Sequence, residues 1–376
     1  MKSAEKSFIQ QRAMHVFNRF SVLAAIAGGM RTRRQIQNAA GLSWGTVSSC
    51  VRELAAENIL TLSPELPENA FTVFPAADAR NSYCFFNREK HLLAGVSVSA
   101  DHLDLEIVTP DRETILSHTL QTGFLPDAAA LKQALIRLFE ETATAPEKIA
   151  YSVIALTGAF DRTGKIWLKT PHLPQVDKWD LAILSDSLPG EVIFEHDIIS
   201  KARSVMMKRQ DSGNDSAFIH WGNGIGLTIC REGKFQEGHR GFAGEIGHLP
   251  YPAANNSTLE TCASLTAAEV FAQKRQCPLD SPEVWEFLKP HILWCLSAVA
   301  GLFDPEVIVL GGEVPDLFPE KIGELSAELE KISWIPIHNE LRFYSMNECN
   351  TASGAAFAAG EVLLANLAEM NNCQEK

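Results

Sequence analysis

Apolar residues near the start of the chain recur every three or four positions, a spacing that is typical of amphipathic α-helices. The first run consists of Phe17, Phe20, Val22, Leu23 and Ile26, and it stops at a pair of glycines. Thr32 is a suitable N-cap for a second, short helix over 33–40 that Gly41 ends, and Ser43 is one for a third helix over 44–58. We therefore predict three helices with a tight turn between the second and the third.

The third predicted helix has two unlike faces. Val47, Val51 and Leu54 share one face, which predicts its contact with a core. The opposite face is small, polar or basic with one aromatic side chain, and it comprises Trp44, Gly45, Ser48, Ser49 and Arg52. Small side chains allow a helix to approach base edges in a DNA major groove. The pattern favours a helix-turn-helix, with a helical protein-interaction module, or a dimer contact at Trp44, as alternatives.

Residues 59–86 predict a two-stranded wing after the third helix, with strands at 59–63 and 82–86. The loop between them carries Glu65 and Glu68, which DNA phosphates would repel. Arg31, at the start of the second helix, is expected near phosphates. The candidate DNA contacts are Arg33, Arg34, Ser43, Trp44, Gly45, Thr46, Ser48, Arg52 and Arg80. We predict that residues 1–86 form a winged helix-turn-helix domain.

Strand and helix signals alternate through the rest of the chain in an order that occurs twice. Three successive strands between 92 and 122 precede a helix and a further strand, and a similar series begins near 216. This alternation predicts an α/β body with two lobes and a cleft between them. We place the lobes at 87–196 and 197–376, with the C-terminal helix returning to the first lobe.

Charge is unevenly distributed along the chain. The 33 basic and 46 acidic residues give a net charge of −13, and such acidity argues against a nucleic-acid binder. Residues 1–90, however, have 11 basic and 7 acidic residues, or +4, which leaves −17 on the remainder. This asymmetry is compatible with DNA contact through the N-terminal segment.

The sequence predicts neither export nor a membrane span. The N-terminus has no apolar core followed by a small-residue cleavage site, and the most apolar run, 293–303, is shorter than the ~18 residues that a spanning helix needs. The 8 cysteines form no C-x-x-C pair and lie mostly in apolar runs, which is typical of buried, reduced thiols. We expect a cytoplasmic protein without a disulfide framework or a zinc knuckle.

Four polar residues of the body lie where a ligand could bind. Asp197 ends a predicted strand and opens a helix, the place where α/β sheets position ligand-binding groups. Glu245 and His248 lie in a glycine-rich loop that we expect to be ordered by what it packs on or binds, and Glu260 follows that loop. Carboxylates and an imidazole accept hydrogen bonds from several hydroxyl groups, which suits a polyhydroxy ligand. These residues by themselves leave a catalytic and a structural role open.

Four segments together resemble the ROK family of repressors, open reading frames and sugar kinases. They are GHRGFAGEIGHLPY at 238–251, FEHDIISKA at 194–202, WGNGIGLTICREGKFQEG at 221–238 and VIVLGG at 307–312. The resemblance covers nearly the whole chain. It implies a two-lobed, actin-like (ribonuclease H-like) α/β sugar-kinase fold preceded by a winged helix-turn-helix domain, and a homodimer or homotetramer formed through the C-terminal lobe.

The resemblance also implies sugar contacts at six positions. They are Asp197, His196, Glu245, His248, Glu260 and His172. The family usually has asparagine where this chain has His196 and His172, and each change replaces the hydrogen-bond donors of the pocket. The preferred sugar is expected to depend on these two positions.

The phosphate-binding motif of the family kinases is replaced. Where those kinases have D-x-G-G-T to hold magnesium and phosphates, this chain has Ser97, Ser99, Ala100 and Asp101. The acid and the glycines are lost, and a negative charge is gained where phosphate would bind. We therefore predict no phosphoryl transfer, no catalytic residue and no enzyme.

A second family motif is a zinc site, which many members form from three cysteines and the histidine equivalent to His248. Tyr251, Ala253 and Thr258 stand at the cysteine positions of this chain. We predict no metal and no cofactor, and we expect packing or a ligand to hold the loop 249–259.

These observations predict a sugar-responsive transcription regulator, a repressor of carbohydrate uptake or metabolism genes, whose body senses the sugar without catalysis. The expected partners are a double-stranded DNA operator, a sugar or sugar-derivative effector and further copies of the chain, with no membrane. Two alternatives stay open: a ROK-type ATP-dependent sugar kinase that has kept a DNA-binding head, and a regulator whose effector is a partner protein.

Overall fold

The computed structural model describes residues 2–64, 82–161, 165–171, 173–209, 215–251, 257–332 and 339–370 of the chain. The head consists of α1 (Lys2–Ala27), α2 (Arg33–Ala40), α3 (Trp44–Ala56), β1 (Leu60–Ser63) and β2 (Tyr83–Phe86). β1 and β2 pair in antiparallel fashion. Three helices followed by a hairpin are the predicted order. Glu65, Glu68 and Arg80 of the predicted wing loop lie outside the described residues.

Capping residues set the bounds of α2 and α3. Thr32 forms a capping box at the start of α2, and Gly41 ends that helix in the left-handed region at φ 66°. The Ser43 hydroxyl accepts a backbone hydrogen bond at 3.1 Å from the first turn of α3. The predicted starts of both helices are confirmed. α3 ends two residues earlier than predicted, because Asn58 adopts a left-handed backbone (φ 58°) that turns the chain into β1.

The apolar residues of α1 lie in two different environments. Leu23 and Ile26 are fully buried in the head together with the apolar face of α3. Phe17 and Phe20 are exposed instead, and they line a groove of about 640 Å³ beside the last helix of the chain. The helical spacing therefore predicted the helix correctly, but it could not separate the residues that face the core of the head from those that face this groove.

The body follows in two series of elements. From 92 to 196 they are β3 (Leu92–Val98), β4 (His102–Val108), β5 (Thr114–Gln121), α4 (Ala128–Glu140), β6 (Ile149–Leu156), β7 (Ala159–Asp161), β8 (Ile166–Lys169), β9 (Trp179–Asp180), α5 (Ala182–Ser185) and β10 (Glu191–His196). From 197 to 369 they are α6 (Asp197–Arg209), β11 (Ser216–Trp221), β12 (Ile225–Arg231), β13 (Lys234–Phe235), α7 (Leu259–Ala263), α8 (Leu265–Arg275), α9 (Pro282–Phe303), β14 (Val307–Gly311), α10 (Glu313–Leu317), α11 (Pro319–Ile332), β15 (Glu340–Tyr344), α12 (Thr351–Ala358) and α13 (Gly360–Glu369).

The two five-stranded sheets have the same strand order, which confirms the predicted duplication. The first has the order β10-β6-β3-β4-β5 and the second the order β13-β12-β11-β14-β15. In each sheet the first three strands of the series form an antiparallel meander, and the fourth and fifth are added beside the first strand. In the second sheet β11, β14 and β15 are parallel, so their carboxyl ends lie at one edge.

A small three-stranded sheet, β7-β8-β9, was not predicted from the sequence. Its strands have two to four residues, too short for an alternating pattern to emerge. Burial of Trp167, whose ring lies edge-on to that of Trp179 at 5.8 Å, gives the sheet its own apolar centre.

The chain divides into two compact units. The first comprises residues 1–154, 183–194 and 355–376, and the second comprises 155–182 and 195–354. The head and α13 therefore belong to the same unit as most of the first sheet. In that unit Asn366 of α13 donates a hydrogen bond to the Tyr151 hydroxyl of β6. In the second unit α9 buries Leu288, Ile292 and Leu296 in the core beside the second sheet.

One helical stretch of the described residues, Met346–Glu369, is long and apolar enough to cross a membrane by length and composition alone. It includes α12 and α13, and 59% of its most apolar window is buried inside the fold, as in a core helix.

Candidate functional site

Asp197 lies at the junction of β10 and α6, where the sequence placed it. Lys201, one helical turn later, donates a hydrogen bond from Nζ to Asp197 Oδ2 at 2.7 Å. Burial opposes both charges, but the attraction between them lowers the pKa of Asp197 and raises the pKa of Lys201. Asp197 is therefore held as the ionised half of an ion pair, which makes it a weak general base.

His248 lies between two of the predicted carboxylates. Its Nε2 atom is 3.7 Å from Glu245 Oε2, and its Nδ1 atom is 4.0 Å from Glu260 Oε1. Glu260 Oε2 also accepts a hydrogen bond from the backbone N–H of Ile225 at 2.9 Å, which fixes this carboxylate against β12. Acceptors of this kind around an imidazole can bind several hydroxyl groups of one ligand.

The glycine-rich loop is ordered by close packing on β12. Gly244 has a φ of 95°, and a Cβ atom on it would lie 1.9 Å from the Leu227 carbonyl oxygen. A Cβ atom on Gly247 would lie 2.3 Å from the Ile225 carbonyl oxygen. No side chain fits at either position, so the glycines let the loop place Glu245 and His248 directly against the sheet.

Glu245 is the carboxylate of this cluster whose pKa is raised. Burial, together with the charges of Asp197 and Glu260, raises the pKa of Glu245, although His248 opposes the shift. Asp197 and Glu260 affect Glu245 because these carboxylates lie close to it. The structure therefore brings together Asp197, Glu245, His248 and Glu260 in the second unit.

The structure describes one of the two histidines that stand where the family usually has asparagine. His196 is buried, with its ring centroid 4.3 Å from that of Phe160, and it is one of the groups that contribute to the lowered pKa of Asp197. His196 is therefore next to the cluster. His172 lies outside the described residues.

Three nearby residues were missed by reasoning from the sequence. They are Lys201, His220 and Glu313. The i,i+4 spacing from Asp197 could have indicated Lys201, and the acidic residue directly after the run VIVLGG could have indicated Glu313. The approach of His220, on β11, to Glu313 depends on the pairing of β11 with β14, which no local signal carries.

The residues that replace the phosphate-binding motif lie at the end of β3 and in the turn to β4. Ser99 N–H donates to the His102 carbonyl oxygen at 3.0 Å and closes this turn. Asp101 is exposed, and its Oδ1 atom lies 2.7 Å from His102 Nδ1. The hydrogen bond to His102 lowers the pKa of Asp101, so the turn carries a negative charge at neutral pH.

The residues of this chain at the family's zinc-ligand positions do not fit a zinc site. Tyr251 is buried, its hydroxyl lies 3.0 Å from His291 Nδ1, and its ring is edge-on to Trp294. Thr258 caps α7, and Ala253 lies outside the described residues. Across the described part of the chain, no three His, Cys, Asp or Glu side chains are placed to hold one metal ion.

The candidate DNA-binding surface lies at the start of α3. Trp44 is 47% exposed, and Gly45 and Arg52 are exposed beside it. Thr46 and Ser48 are half-buried; the Thr46 hydroxyl lies 2.8 Å from that of Ser43, and the Ser48 carbonyl oxygen accepts from Arg52 at 3.2 Å. The first turn of α3 therefore presents small and polar groups to solvent.

The arginines of α2 have different surroundings. Arg34 is exposed, and Arg33 lies 3.4 Å from the Ser82 hydroxyl at the base of the wing. The expectation that Arg31 lies near phosphates is not supported, because its guanidinium pairs with Asp111 at 2.6 Å and lies over Phe85. Arg31 therefore joins the head to the first sheet.

Comparison with known proteins agrees with the sequence motifs. Residues 93–356 match the ROK family. The chain belongs to the ROK family. The DNA-binding transcriptional dual regulator NagC of Escherichia coli is 30% identical over 205 residues, as is the N-acetylglucosamine repressor of Shigella flexneri. These matches cover 45% of this chain, and the chain spans about half the length of these curated ROK relatives.

Solved structures of the ROK family show the same fold. A ROK family transcriptional regulator, a homologue of the Escherichia coli MLC protein, has a TM-score of 0.73 and 17% identity, covering 95% of this chain and 99% of that one. A ROK family glucokinase from Streptomyces griseus, in complex with glucose and AMPPNP, has a TM-score of 0.59 and 18% identity, covering 70% of this chain and 98% of that one. The predicted fold class, an α/β sugar-kinase fold behind an N-terminal domain, is confirmed.

Proposed function

We propose that this protein is a cytoplasmic, sugar-responsive, DNA-binding transcription regulator that represses carbohydrate uptake or metabolism genes. Two heads of a homodimer or homotetramer bind two half-sites of an operator through the first turn of α3. A sugar or sugar derivative binds at Asp197, Glu245, His248 and Glu260, with His196 and His172 beside them. The sugar favours the form that cannot reach both half-sites, for which a coupling of ~1–3 kcal/mol suffices.

The observation that carries this proposal is one arrangement of charged groups. Glu245, His248 and Glu260 are grouped as acceptors for hydroxyl groups, while Asp197 is neutralised by Lys201 at 2.7 Å. The grouping supports sugar binding, and the ion pair argues against proton abstraction by Asp197. In the same chain, a helix-turn-helix head carries an exposed polar first turn of α3.

The proposed body is a sensor without catalysis, metal or cofactor. An ionised Asp101 in the β3–β4 turn supports this proposal, since it would repel the phosphates of a nucleotide. The packing of Tyr251 against His291 and Trp294 supports a loop held by aromatic contacts in place of zinc. The name of the NagC relative, a transcriptional dual regulator, points to the same class of protein.

Gel-shift titration with DNA fragments from around the protein's own gene tests the proposal. We expect sequence-preferring binding at moderate salt, which one sugar or sugar derivative weakens, and no such preference for an unrelated fragment of equal length. Thermal unfolding with a sugar and sugar-phosphate library identifies the effector, because binding to the folded state raises its stability. If no sugar stabilises the protein while a transport component is retained in a pull-down, the effector is a partner protein.

A sugar kinase with a DNA-binding head is the second candidate. The retained Asp197 and the fold shared with a glucokinase favour it. A kinase requires sugar-dependent transfer of the γ-phosphoryl group from ATP to a sugar hydroxyl, with release of ADP, and Asp197→Asn abolishes this transfer. A coupled assay for ADP over common hexoses and amino sugars that detects no sugar-dependent release rules it out, whereas activity lost in the variant overturns the proposed absence of catalysis.

A further inference from the structure

The exposed face of α3 contains a glycine that nothing inside the chain requires. Gly45 does not have a positive φ, and a Cβ atom on it would have the Ser43 hydroxyl oxygen, at 3.9 Å, as its nearest contact outside the local helix backbone. Alanine would therefore fit here without strain, and it is the better helix residue. The missing side chain leaves a gap in the surface of α3 that an external partner can approach closely.

The helix geometry places this gap in the middle of the exposed face. Val47, Val51 and Leu54 are fully buried, so the opposite side of α3 faces solvent. Gly45 and Arg52 are separated by about two helical turns and therefore lie on one line along that side. A partner that lies along the exposed face of α3 meets the backbone of Gly45 directly.

A large aromatic side chain borders the gap. Trp44 is the first residue of α3, and 47% of its surface is exposed. Its indole ring is flat and apolar apart from a single N–H donor. Such a surface is stabilised most by contact with another apolar group, because the contact removes both from water. The first turn of α3 therefore presents an apolar ring beside an open stretch of backbone.

The charge around this ring favours a polyanion as the partner. Arg34 and Arg52 are exposed, and none of the exposed residues in the range 33–56, which the structure describes throughout, is acidic. The acidic residue of this range, Glu53, is half-buried and accepts a hydrogen bond from Ser49 at 2.9 Å. A two-fold contact with the same face of a second copy would bring like charges together. Duplex DNA is the partner that this surface fits.

We propose that Trp44 and Gly45 bind the 5-methyl group of a thymine in the major groove of the operator. This inference rests on the proposed function, and it names the feature of DNA that the first turn of α3 recognises. Base edges in the major groove carry hydrogen-bond donors and acceptors, and the thymine methyl group is the apolar group among them. The missing Cβ atom of Gly45 lets the helix backbone approach the base edge, and the Trp44 ring covers the methyl group.

Operator DNA without thymine methyl groups tests this contact. The operator fragment found by gel shift is amplified with dUTP in place of dTTP, which removes the methyl groups and keeps the base pairing. Anisotropy titrations with the full-length protein measure the affinity for both fragments. We expect the wild type to lose about fourfold in affinity for each methyl group that Trp44 covers, and Trp44→Ala to lose less by that factor. Phe124→Ala, which truncates an exposed aromatic residue of the first unit, is the control and should lose as much as the wild type.

Gly45→Ala separates DNA binding from stability. The added methyl group is expected to raise the free energy of unfolding, since alanine favours the helix, and to lower operator affinity by about tenfold, since it holds the helix away from the base edge. Denaturant unfolding and anisotropy measure the two effects. Gly323→Ala is the matched control, because a Cβ atom at this exposed glycine of α11 would have nothing within 4 Å. It should raise stability and leave operator affinity unchanged.

The outcomes distinguish this inference from the proposed function. A wild type without sequence-preferring DNA binding overturns both. If the wild type binds the operator, but W44A loses as much affinity on uracil DNA as the wild type, the proposed function stands and the thymine contact is wrong. Unchanged operator affinity in G45A also overturns the contact, as does a smaller oligomer of W44A in sedimentation, which would assign Trp44 to an interface between copies. If W44A does not fold, G45A decides.

Discussion

The surroundings of each carboxylate determine its charge and its role in the candidate site. Lys201 stabilises the ionised form of Asp197 against the effect of burial, whereas burial and the neighbouring carboxylates raise the pKa of Glu245 and His248 opposes this shift. The same functional group therefore has a lowered pKa at one position and a raised pKa at the other. Sequence position predicted which residues gather here, but the direction of each shift depends on contacts from other elements.

Replacement of Glu245 by glutamine is expected to raise stability and to weaken sugar binding. The raised pKa means that folding favours the protonated form of Glu245. Protonated Glu245 therefore stabilises the folded protein at pH values below its pKa in the unfolded chain, and this stabilisation is lost as pH rises through its pKa in the folded protein. The E245Q variant should therefore be more stable than the wild type at neutral pH, with a gap that narrows in acid. Its sugar affinity should fall by about 10- to 100-fold, because a charged acceptor is lost.

Thermal unfolding across pH and calorimetric titration with the effector measure both effects of E245Q. Glu269→Gln, the same change at an exposed position of α8, is the control and should alter neither quantity. Unchanged sugar affinity in E245Q would show that Glu245 does not bind the sugar.

Loss of Lys201 is expected to destabilise the protein in a pH-dependent way. The pKa of Asp197 is lower in the folded protein than in the unfolded chain. Its ion pair therefore stabilises the protein at pH values above the pKa of Asp197 in the unfolded chain, and this stabilisation is lost as pH falls through its pKa in the folded protein. Lys201→Met should cost roughly 1–3 kcal/mol at neutral pH, since it leaves a partly buried carboxylate without its partner. Denaturant titration of both proteins at several pH values should show the difference closing in acid. A difference independent of pH would mean that packing, and not the ion pair, is responsible.

At the scale of helices and strands, one buried arginine joins three elements. Arg19 of α1 is fully buried; its guanidinium forms two hydrogen bonds to Glu57, at 2.6 and 2.7 Å, at the end of α3. It also donates to the carbonyl oxygens of Leu367 and Ala368 of α13, at 2.9 and 3.1 Å. A cation at the end of α13 satisfies carbonyl groups that the helix itself leaves free. These hydrogen bonds connect the C-terminal helix to the head.

Arg19→Met is expected to lower the free energy of unfolding by about 3–5 kcal/mol, because it removes a buried guanidinium that pairs with Glu57 and binds two carbonyl groups. The measurement is denaturant unfolding followed by circular dichroism. Arg12→Met changes an exposed arginine on the same helix and should have little effect. An equal loss of unfolding free energy in both variants would show that the hydrogen bonds of Arg19 do not cause the loss.

The elements that the sequence predicted are those with local signals. Thr32, Gly41 and Ser43 bound α2 and α3, since caps act within one turn of their own position. The duplicated sheets followed from alternating strands and helices. The β7-β8-β9 sheet, the ion pairs of Arg19 and Arg31 and the contact of His220 with Glu313 join residues distant in the chain. Their pairing depends on tertiary packing, which no short motif encodes.

At the scale of the whole molecule, charge separates the head from the body. Residues 1–90 carry +4, and the remaining residues carry −17. For the proposed DNA binding, the acidic body would be repelled by DNA, and contact would be limited to a modestly basic head in which Arg31 and Arg19 are engaged in internal ion pairs. We therefore expect specific binding to depend on base contacts from α3 and on two linked heads.

This charge distribution predicts a shallow salt dependence of DNA binding. Each phosphate that a protein neutralises adds about −0.9 to the slope of log K against log salt concentration. We expect a slope that corresponds to fewer than about eight phosphate contacts for each head. Fluorescence anisotropy titrations between low and moderate salt measure it. A steeper slope would mean that the head makes a mainly electrostatic contact.

In the proposed function, one site of the body controls the DNA affinity of the head. This control is measured by the anisotropy of a labelled operator fragment, titrated with wild-type protein and with E245Q in the presence and absence of the effector. We expect the effector to weaken operator binding by the wild type about 5- to 150-fold, whereas E245Q binds the operator normally and no longer responds at that effector concentration. Operator binding that is absent in both proteins, or an equal effector response in E245Q, would contradict it.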